Sequence, residues 1–309
     1  MTLAIDARGL GKRFGRQAVL DGLDLAVADG SVFALLGPNG AGKTTTINIL
    51  TTLVRPDSGT ASIAGHDVVR DPDGVRARIS LTGQQAAVDE VLTGRQNLTM
   101  LGRLSGLDAK AARRRGDELL ERFDLVDAAT RQVKTYSGGM RRRLDLALSL
   151  VVPTPVLFLD EPTTGLDTRS RLELWAVIGD IARAGATVFL TTQYLEEADR
   201  LADRIAVLDG GRIVAEGTAA ELKARIGGDV VELRGPDEEL LAELPTDGSV
   251  HGMRAAVDEL DRHEASGRPG VHVNVRRPSL DDVFLAITGA GASSPSATDR
   301  ARDLIGTKG

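Results

Sequence analysis

The chain has 309 residues, of which 42% are hydrophobic and 27% are charged, a composition typical of a folded protein with one large or two smaller domains. Its formal net charge of -6 disfavours nucleic acid as a partner, and the absence of cysteine excludes disulfides, thiolate zinc sites and cysteine catalysis. The first residues predict no signal peptide, and no apolar stretch approaches the roughly 20 residues of a membrane helix, so we expect another polypeptide to supply any membrane-spanning helices.

The first 36 residues read as strands separated by turns. Phe14 stands out in a polar turn of this region, because aromatic residues make up only 3% of the chain. Its ring is suited either to stack on an adenine base or to form a small hydrophobic plug beneath the first hairpin. The residues alone leave both interpretations open.

A glycine-rich segment joins the strand predicted at 32–36 to a helix predicted from about residue 46. It matches the pattern GxxxxGKT, in which glycines let successive backbone N–H groups face a phosphate and the helix N-terminus adds positive partial charge. Lys43 is expected to reach the β- and γ-phosphates of a nucleotide, and the Thr44 hydroxyl to bind Mg²⁺. The predicted nucleotide-binding residues of this loop are Gly37, Pro38, Asn39, Gly40, Ala41, Gly42, Lys43, Thr44 and Thr45.

Residues 90–150 follow helical periodicity and lie between two predicted strands. We expect helices at 95–104, 109–123 and 139–150, which would form a helical subdomain at about 88–150 inserted into a nucleotide-binding sheet. Two arginine runs, at 113–115 and 141–143, fall within this pattern. They are predicted to be solvated helix faces rather than a nucleic-acid patch.

Asp160 and Glu161 follow a continuous apolar run, which is typical of a buried strand in a parallel sheet. Hydrolysis of a nucleoside triphosphate needs a carboxylate for the metal and a group that orients the attacking water. We therefore expect Asp160 to hold Mg²⁺ and Glu161 to act as the general base. By itself such a pair is more often part of a solvated loop, and the phosphate loop upstream is what favours catalysis.

The rest of the sequence predicts the end of a nucleotide-binding domain and a small domain after it. A strand at 187–192, a helix at 195–202, a hairpin and a short helix at 221–226 complete a nucleotide-binding domain, 1–227. A small α+β appendage follows at 228–289, with strands at 230–233 and 271–275 and helices at 238–244 and 280–287. Residues 290–309 are predicted to be a disordered tail because they are rich in Ala, Ser, Gly and charge.

Taken together, these motifs resemble the ATP-binding-cassette (ABC) family over residues 3–225. Residues 136–140, YSGGM, are similar to the family's LSGGQ signature, in which Ser137, Gly138 and Gly139 form a second anion-binding helix end. The resemblance implies an α/β P-loop NTPase fold of the RecA-like type, with a mixed sheet, a β subdomain and the helical subdomain. It also implies a homodimer that packs head to tail, so that each signature closes the partner's ATP.

The resemblance assigns further positions one by one. It implies that Gln84, or the neighbouring Gln85, senses Mg²⁺ and water and couples to a membrane partner. It places Asp167 in a loop that crosses the dimer interface, and Phe14 where the family has its adenine-stacking aromatic.

Gln193 departs from the family pattern, which usually has a histidine after the two threonines of this switch. An amide can donate a hydrogen bond to a γ-phosphate oxygen, but it cannot carry a proton. We therefore expect hydrolysis that is slower than with histidine, without loss of the site.

Residues 277–289 are similar to the C-terminal motif of ATPase subunits of the daunorubicin/doxorubicin-resistance type. This similarity implies a drug exporter's ATPase that uses ATP and Mg²⁺ at the cytoplasmic face of the cell membrane. A separate ABC-2-type permease would hold it there as a peripheral subunit and would contact the drug. The apolar side chains of the last predicted helix are expected to meet a partner or to pack on the appendage's own sheet; they are Leu280, Val283, Phe284 and Ile287.

Two other functions stay open on the residues alone. One is a soluble ATPase of the same superfamily that acts in translation or DNA repair, and the other is a regulatory module that uses ATP as a clamp with little turnover. A single phosphate loop and the lack of cysteine disfavour the first, whereas Gln193 keeps the second open. A simple P-loop kinase is disfavoured by the signature at 136–140.

Overall fold

The computed structural model describes residues 2–83, 87–225, 227–263 and 266–289. The chain divides into two compact units, Met1–Glu216 and a second unit that begins at Gly217. This division lies upstream of the glycine pair at which we placed the domain boundary, because the short helix before that pair groups with the second unit. Among the residues described, none of the helices combines the length and apolar character that crossing a membrane requires.

The strands of the first unit form two sheets. In chain order they are β1 (Leu3–Phe14), β2 (Gln17–Ala28), β3 (Val32–Leu36), β4 (Ser58–Ile63), β5 (His66–Asp67), β6 (Ile79–Thr82), β7 (Val156–Asp160), β8 (Thr187–Thr192), β9 (Arg204–Asp209) and β10 (Arg212–Gly217). One sheet is antiparallel with the order β2-β1-β4-β5, and the other is mixed with the order β10-β9-β3-β8-β7-β6. This pair of sheets confirms the predicted P-loop NTPase architecture with its β subdomain.

The helices of the first unit are α1 (Lys43–Leu50), α2 (Pro72–Arg76), α3 (Gly94–Leu104), α4 (Ala109–Arg122), α5 (Gly138–Ser149), α6 (Thr168–Arg183) and α7 (Leu195–Leu201). Three of them, α3, α4 and α5, lie between β6 and β7 in the sequence, as the predicted helical insertion requires. Their ends fall within one residue of the predicted ones, because clear start signals mark them. Thr93, for example, forms a reciprocal capping box with Gln96 at the start of α3.

Buried strands form the centre of the mixed sheet. Every residue of β3, β7 and β8 is buried, and each of these strands contributes one phenylalanine to a stack. Phe33 and Phe189 have ring centroids 5.6 Å apart, and Phe158 and Phe189 5.5 Å apart. Such burial on both faces explains why these segments read as continuous apolar runs.

The prediction that residues 141–143 form a solvated helix face is wrong. Arg142 is buried, and its guanidinium forms an ion pair with buried Asp145, 3.0 Å away. Arg143 is half-buried between Asp124 and Glu173. The sequence pattern does not separate these arginines, because neighbouring positions on a helix point in different directions.

The second unit is a small α+β domain. Its elements are α8 (Ala219–Ala224), β11 (Asp229–Arg234), β12 (Leu240–Thr246), α9 (Val250–Asp261), β13 (His272–Arg276) and α10 (Leu280–Thr288). The strands form an antiparallel sheet with the order β12-β11-β13. Val231 and Leu233 of β11 pack with Ala256 and Leu260 of α9 to form its core.

The helix predicted at 238–244 is wrong, since residues 240–244 belong to β12, and α9 was not predicted. Leucine, alanine and glutamate favour a helix locally, but pairing places Leu244 opposite Val231 and Ala242 opposite Leu233. Cross-strand packing therefore overrides the local preference. Pro245 is tolerated because β12 is an edge strand.

The start of α10 confirms the predicted cap, since Ser279 and Asp282 form a reciprocal capping box. Leu280 and Val283 are buried, and α10 packs against α8.

The small sheet contains one buried carboxylate. Glu232 has 2% of its side chain exposed and accepts hydrogen bonds from Arg234 Nε at 2.8 Å, Arg276 Nε at 2.8 Å and Asn274 Nδ2 at 3.2 Å. Burial by itself raises the pKa of this carboxyl, but the bonds from the two arginines and the amide outweigh it and hold the pKa below its usual value. The ionised form therefore stabilises the unit.

We expect Glu232→Gln to destabilise the second unit by about 1–3 kcal/mol near neutral pH, because the amide loses both ion pairs and the arginines are partly solvated. Because the pKa of this carboxyl is lower in the native state than in the unfolded state, the unfolded state binds more protons at acidic pH. This stabilisation is then present above the unfolded pKa of about 4.3 and is lost as pH falls through the native pKa. Urea unfolding followed by circular dichroism at pH 7 and at lower pH tests this.

Glu259→Gln serves as the matched control, since it removes an exposed ion pair with Arg262. We expect little change at either pH. A Glu232→Gln effect of the same size at acidic and neutral pH would contradict the assignment.

Candidate functional site

The phosphate loop connects β3 to α1 and requires glycine at particular positions. Gly40 and Gly42 have φ values of 82° and 113°, which other residues rarely adopt. A Cβ on Gly42 would lie 2.7 Å from a methyl carbon of Leu20, and one on Gly37 would lie 2.4 Å from the carbonyl oxygen of Leu208. A cavity of about 300 Å³ lies against the loop and is lined by Gln17, Val19, Asn39, Gly40, Gly42, Lys43, Thr44, Thr45 and Glu161.

Lys43 is held at the base of this loop with 4% of its surface exposed. Its Nζ donates to the carbonyl oxygens of Gly37 at 2.8 Å and Pro38 at 3.1 Å. The same atom lies 3.2 Å from Glu161 Oε1, whose other oxygen accepts from the Thr164 hydroxyl at 3.3 Å. Two residues that are distant in the sequence are thereby joined as an ion pair.

Asp160 is buried at the end of β7. Its Oδ1 accepts from Thr191 Oγ1 at 2.6 Å and lies 3.4 Å from Thr44 Oγ1. Mg²⁺ in nucleotide sites takes one or two protein oxygens together with phosphate and water oxygens, and this carboxylate and hydroxyl fit that donor set. Among the described residues, no cluster of three or more His, Cys, Asp or Glu side chains could hold a metal ion.

Glu161 has a strained backbone with φ of 48°. A left-handed conformation costs a residue with a side chain about 1–2 kcal/mol. The amide of Glu161 donates to both the carbonyl oxygen and the hydroxyl of Thr191, each at 3.1 Å, and these bonds hold the turn. Thr191 thus holds the carboxylate of Asp160 and the backbone of Glu161, a role that sequence reasoning missed because its only signal was the end of a neighbouring strand.

The signature segment begins α5. Ser137 is its N-cap and accepts from the amide of Met140 at 3.2 Å. Gly139 lies against Ser170 of α6, whereas nothing is within 4 Å of a Cβ on Gly138. A second cavity of about 260 Å³ opens beside this helix end and is lined by Gly138, Arg141, Arg142, Glu161, Thr164, Gly165 and Leu166. Glu161 therefore borders both cavities.

The remaining predicted residues lie around this centre. Phe14 ends β1 with 53% of its surface exposed and the Lys12 ammonium 5.5 Å from its ring centroid, so it is not a plug beneath the hairpin. Asp167 caps α6, accepting from the Ser170 amide at 2.9 Å and hydroxyl at 2.8 Å, and these bonds lower the pKa of its carboxyl. Gln193 is half-buried directly after β8, and Gln84 with Gln85 lies outside the described residues.

Comparison with known proteins gives close relatives. The family described as ABC transporter matches residues 20–164. The chain is 54% identical to the daunorubicin resistance ATP-binding protein DrrA3 of Streptomyces coeruleorubidus, over 93% of this chain and 96% of that protein. It is 51% identical to the daunorubicin/doxorubicin resistance ATP-binding protein DrrA of Streptomyces peucetius, over 98% and 97%. A solved ATP-binding subunit of an ABC transporter has 28% identity and a TM-score of 0.64, and the match covers 72% of this chain and 93% of that one.

The contact between Gly139 and Ser170 yields a stability prediction. A Cβ at position 139 would lie 2.4 Å from Ser170 Oγ and 2.8 Å from Ser170 Cβ. Gly139→Ala should therefore push α5 from α6 and destabilise the first unit by about 1–3 kcal/mol. Gly138→Ala, one residue earlier in the same helix, should be neutral or slightly stabilising. Urea unfolding midpoints of the full chain measure both, and equal midpoints for the two variants would contradict the packing described.

Proposed function

The chain belongs to the ABC transporter family as an ATP-binding subunit, and from this premise we propose that it hydrolyses ATP to power drug export through a separate membrane permease. Relatives at 54% and 51% identity carry daunorubicin resistance in their names. Anthracycline-like drugs are accordingly the cargo class that we propose.

The observation that carries the proposal is the meeting of Lys43, Thr44 and Glu161 at one cavity, with Asp160 in contact with Thr44 behind it. Lys43 Nζ lies 3.2 Å from Glu161, and Thr44 Oγ1 lies 3.4 Å from Asp160. A cation for the phosphates, oxygen donors for a metal and a carboxylate base are the parts that hydrolysis needs. The geometry thus favours an ATPase over a protein that only binds nucleotide.

We infer a role for each of these groups. A bound triphosphate is a stronger partner for the Lys43 ammonium than a single carboxylate, so Lys43 turns from Glu161 to the phosphates. Glu161 is then free to accept a proton from the attacking water, and its strained backbone keeps the carboxylate at that place. Thr44 and Asp160 would hold Mg²⁺, which when bound would supply positive charge that neutralises the phosphates.

The signature provides the reason to propose a head-to-tail dimer. Ser137, Gly138 and Gly139 begin α5 and form an N-terminal helix end suited to anions. Among the described residues that line the phosphate-loop cavity, none belongs to this signature. A second copy of the chain would supply it, with Asp167 near the interface and Phe14 stacked on the adenine.

The permease and the location complete the proposal. We propose an ABC-2-type permease that binds the drug and holds this chain at the cytoplasmic face of the membrane, with Gln84 near the contact. A soluble ATPase in translation or repair is not favoured, because the chain matches daunorubicin-resistance proteins over nearly their full length.

Glu161→Gln should bind ATP but turn it over roughly 100-fold more slowly, since the amide cannot accept the water's proton. Lys43→Ala is the comparison variant that should lose ATP binding as well. ATP binding and hydrolysis by both variants are measured with the purified full-length chain. Drug export is measured in cells that co-express the chain with a candidate ABC-2-type permease and are loaded with daunorubicin. Wild type should lower the retained drug, and neither variant should.

The two parts of the proposal fail separately. Wild-type turnover in Glu161→Gln would show that the base is wrongly assigned. ATP hydrolysis by wild type with unchanged drug retention would show that export is wrongly assigned.

Gln193→His should raise the turnover number several-fold, up to about tenfold, because an imidazole near the γ-phosphate can carry positive charge and a proton. ATP hydrolysis by the full-length chain is the measurement. Gln132→His, at an exposed position of the helical subdomain, is the matched control and should leave the turnover number unchanged. Equal rates for wild type and Gln193→His would remove the role assigned to this position.

A further inference from the structure

Arg142 occupies an unusual position for a charged side chain. It is buried on α5 and makes four hydrogen bonds with its guanidinium. Nε donates to the carbonyl oxygen of Pro162 at 2.7 Å, and Nη2 donates to that of Asp160 at 3.3 Å. Nη1 donates to the carbonyl oxygen of Gly83 at 2.8 Å and to Asp145 Oδ2 at 3.0 Å.

Asp145, the ion-pair partner of Arg142, also binds the backbone of Ala87. Its Oδ1 accepts from the amide of Ala87 at 2.7 Å. Gly83 and Ala87 border residues 84–86, so the pair Arg142–Asp145 binds the chain on both sides of Gln84 and Gln85. The pair is one helical turn apart on α5, which brings both side chains to the same face.

We propose that Arg142, held by Asp145, is a positioning residue that ties the helix of the signature to the backbone on both sides of the base Glu161 and to Gly83 and Ala87. The inference rests on the proposed ATPase function and adds a connection within it. Ser137 caps the N-terminus of the same helix. A movement of α5 when the signature meets nucleotide is thereby transmitted to the peptide groups on both sides of Glu161.

Arginine is suited to this task because its planar guanidinium offers five N–H donors in fixed directions. The bonds to Asp160 and Pro162 grip the backbone on either side of Glu161, whose carboxylate must stay near the attacking water. Lysine has a single nitrogen and cannot span the same carbonyl oxygens. A displacement of about 1 Å at a reacting group can reduce turnover by about 100-fold, so small changes here are measurable.

The experiment compares Arg142→Met with Arg143→Met in the full-length chain. Arg143 is the neighbouring arginine of α5, is also ion-paired, and lies away from the nucleotide loops, with partners at Asp124 and Glu173. Arg142→Met should lower the turnover number for ATP by about tenfold to 100-fold and leave KM within about twofold, because the phosphate loop is untouched. Arg143→Met should leave both values within about twofold.

Hydrogen exchange supplies a readout that does not depend on hydrolysis. In Arg142→Met, exchange of the amides near residues 83–87 and 160–164 should accelerate, with no such change in Arg143→Met. If the wild-type chain hydrolyses no ATP, the proposed function fails, and the exchange measurement still decides this inference. Unchanged exchange in both segments overturns it.

Arg142→Lys and Asp145→Asn keep the proposal testable if Arg142→Met does not fold. Both retain volume, and each removes part of the hydrogen-bond set, so each should lower the turnover number with KM unchanged and should speed exchange at residues 83–87. Wild-type turnover and exchange in both would overturn the proposal. A loss of activity that follows only the folded fraction, with a constant turnover number per folded molecule, would also overturn it, because it reports a merely structural role.

Discussion

Parallel pairing of β3, β7 and β8 brings the carboxyl ends of three buried strands to one edge of the central sheet. Leu36 lies opposite Thr192, and Asp160 lies opposite Thr191. The phosphate loop, the two carboxylates and the switch glutamine lie at the ends of these strands or directly after them. Because side chains alternate along a strand, a shift of one residue in this register would turn Asp160 away from Thr44 and Thr191. The apolar strands therefore determine the chemistry at their ends.

Buried polar groups complete the site by forming hydrogen bonds and ion pairs with one another. A buried ammonium or guanidinium without partners would be strongly unfavourable. Lys43 bonds to the loop's own carbonyl oxygens and to Glu161, and Arg142 bonds to three backbone carbonyl oxygens and to Asp145. Burial lowers the pKa of Arg142, but an arginine starts so high that it stays charged. Both side chains thus fix loop positions while they carry charge.

Sequence reasoning predicted much of the fold because the local and global signals agree in the first unit. The phosphate loop, the buried strands and the three helices of the insertion each follow a clear period or cap. In the second unit the signals conflict, and β12 was predicted as a helix because leucine, alanine and glutamate favour one locally. The burial of Arg142 was not predicted for a different reason. Residues 141–143 are all arginine, and only the packing of α5 shows which of them is buried. The pairing of Lys43 with Glu161 likewise depends on strand order, which the sequence does not state.

The left-handed backbone at Glu161 has a consequence for how this protein can be engineered. Glycine is the residue that relieves such strain at least cost, but Glu161→Gly would also remove the carboxylate that pairs with the buried Lys43 ammonium. The backbone and the ion pair therefore have opposite preferences at this position. A library designed to produce a more robust pump component has to hold residue 161 constant and look for its gains elsewhere, for example in the edge strand β12 or the exposed faces of α4.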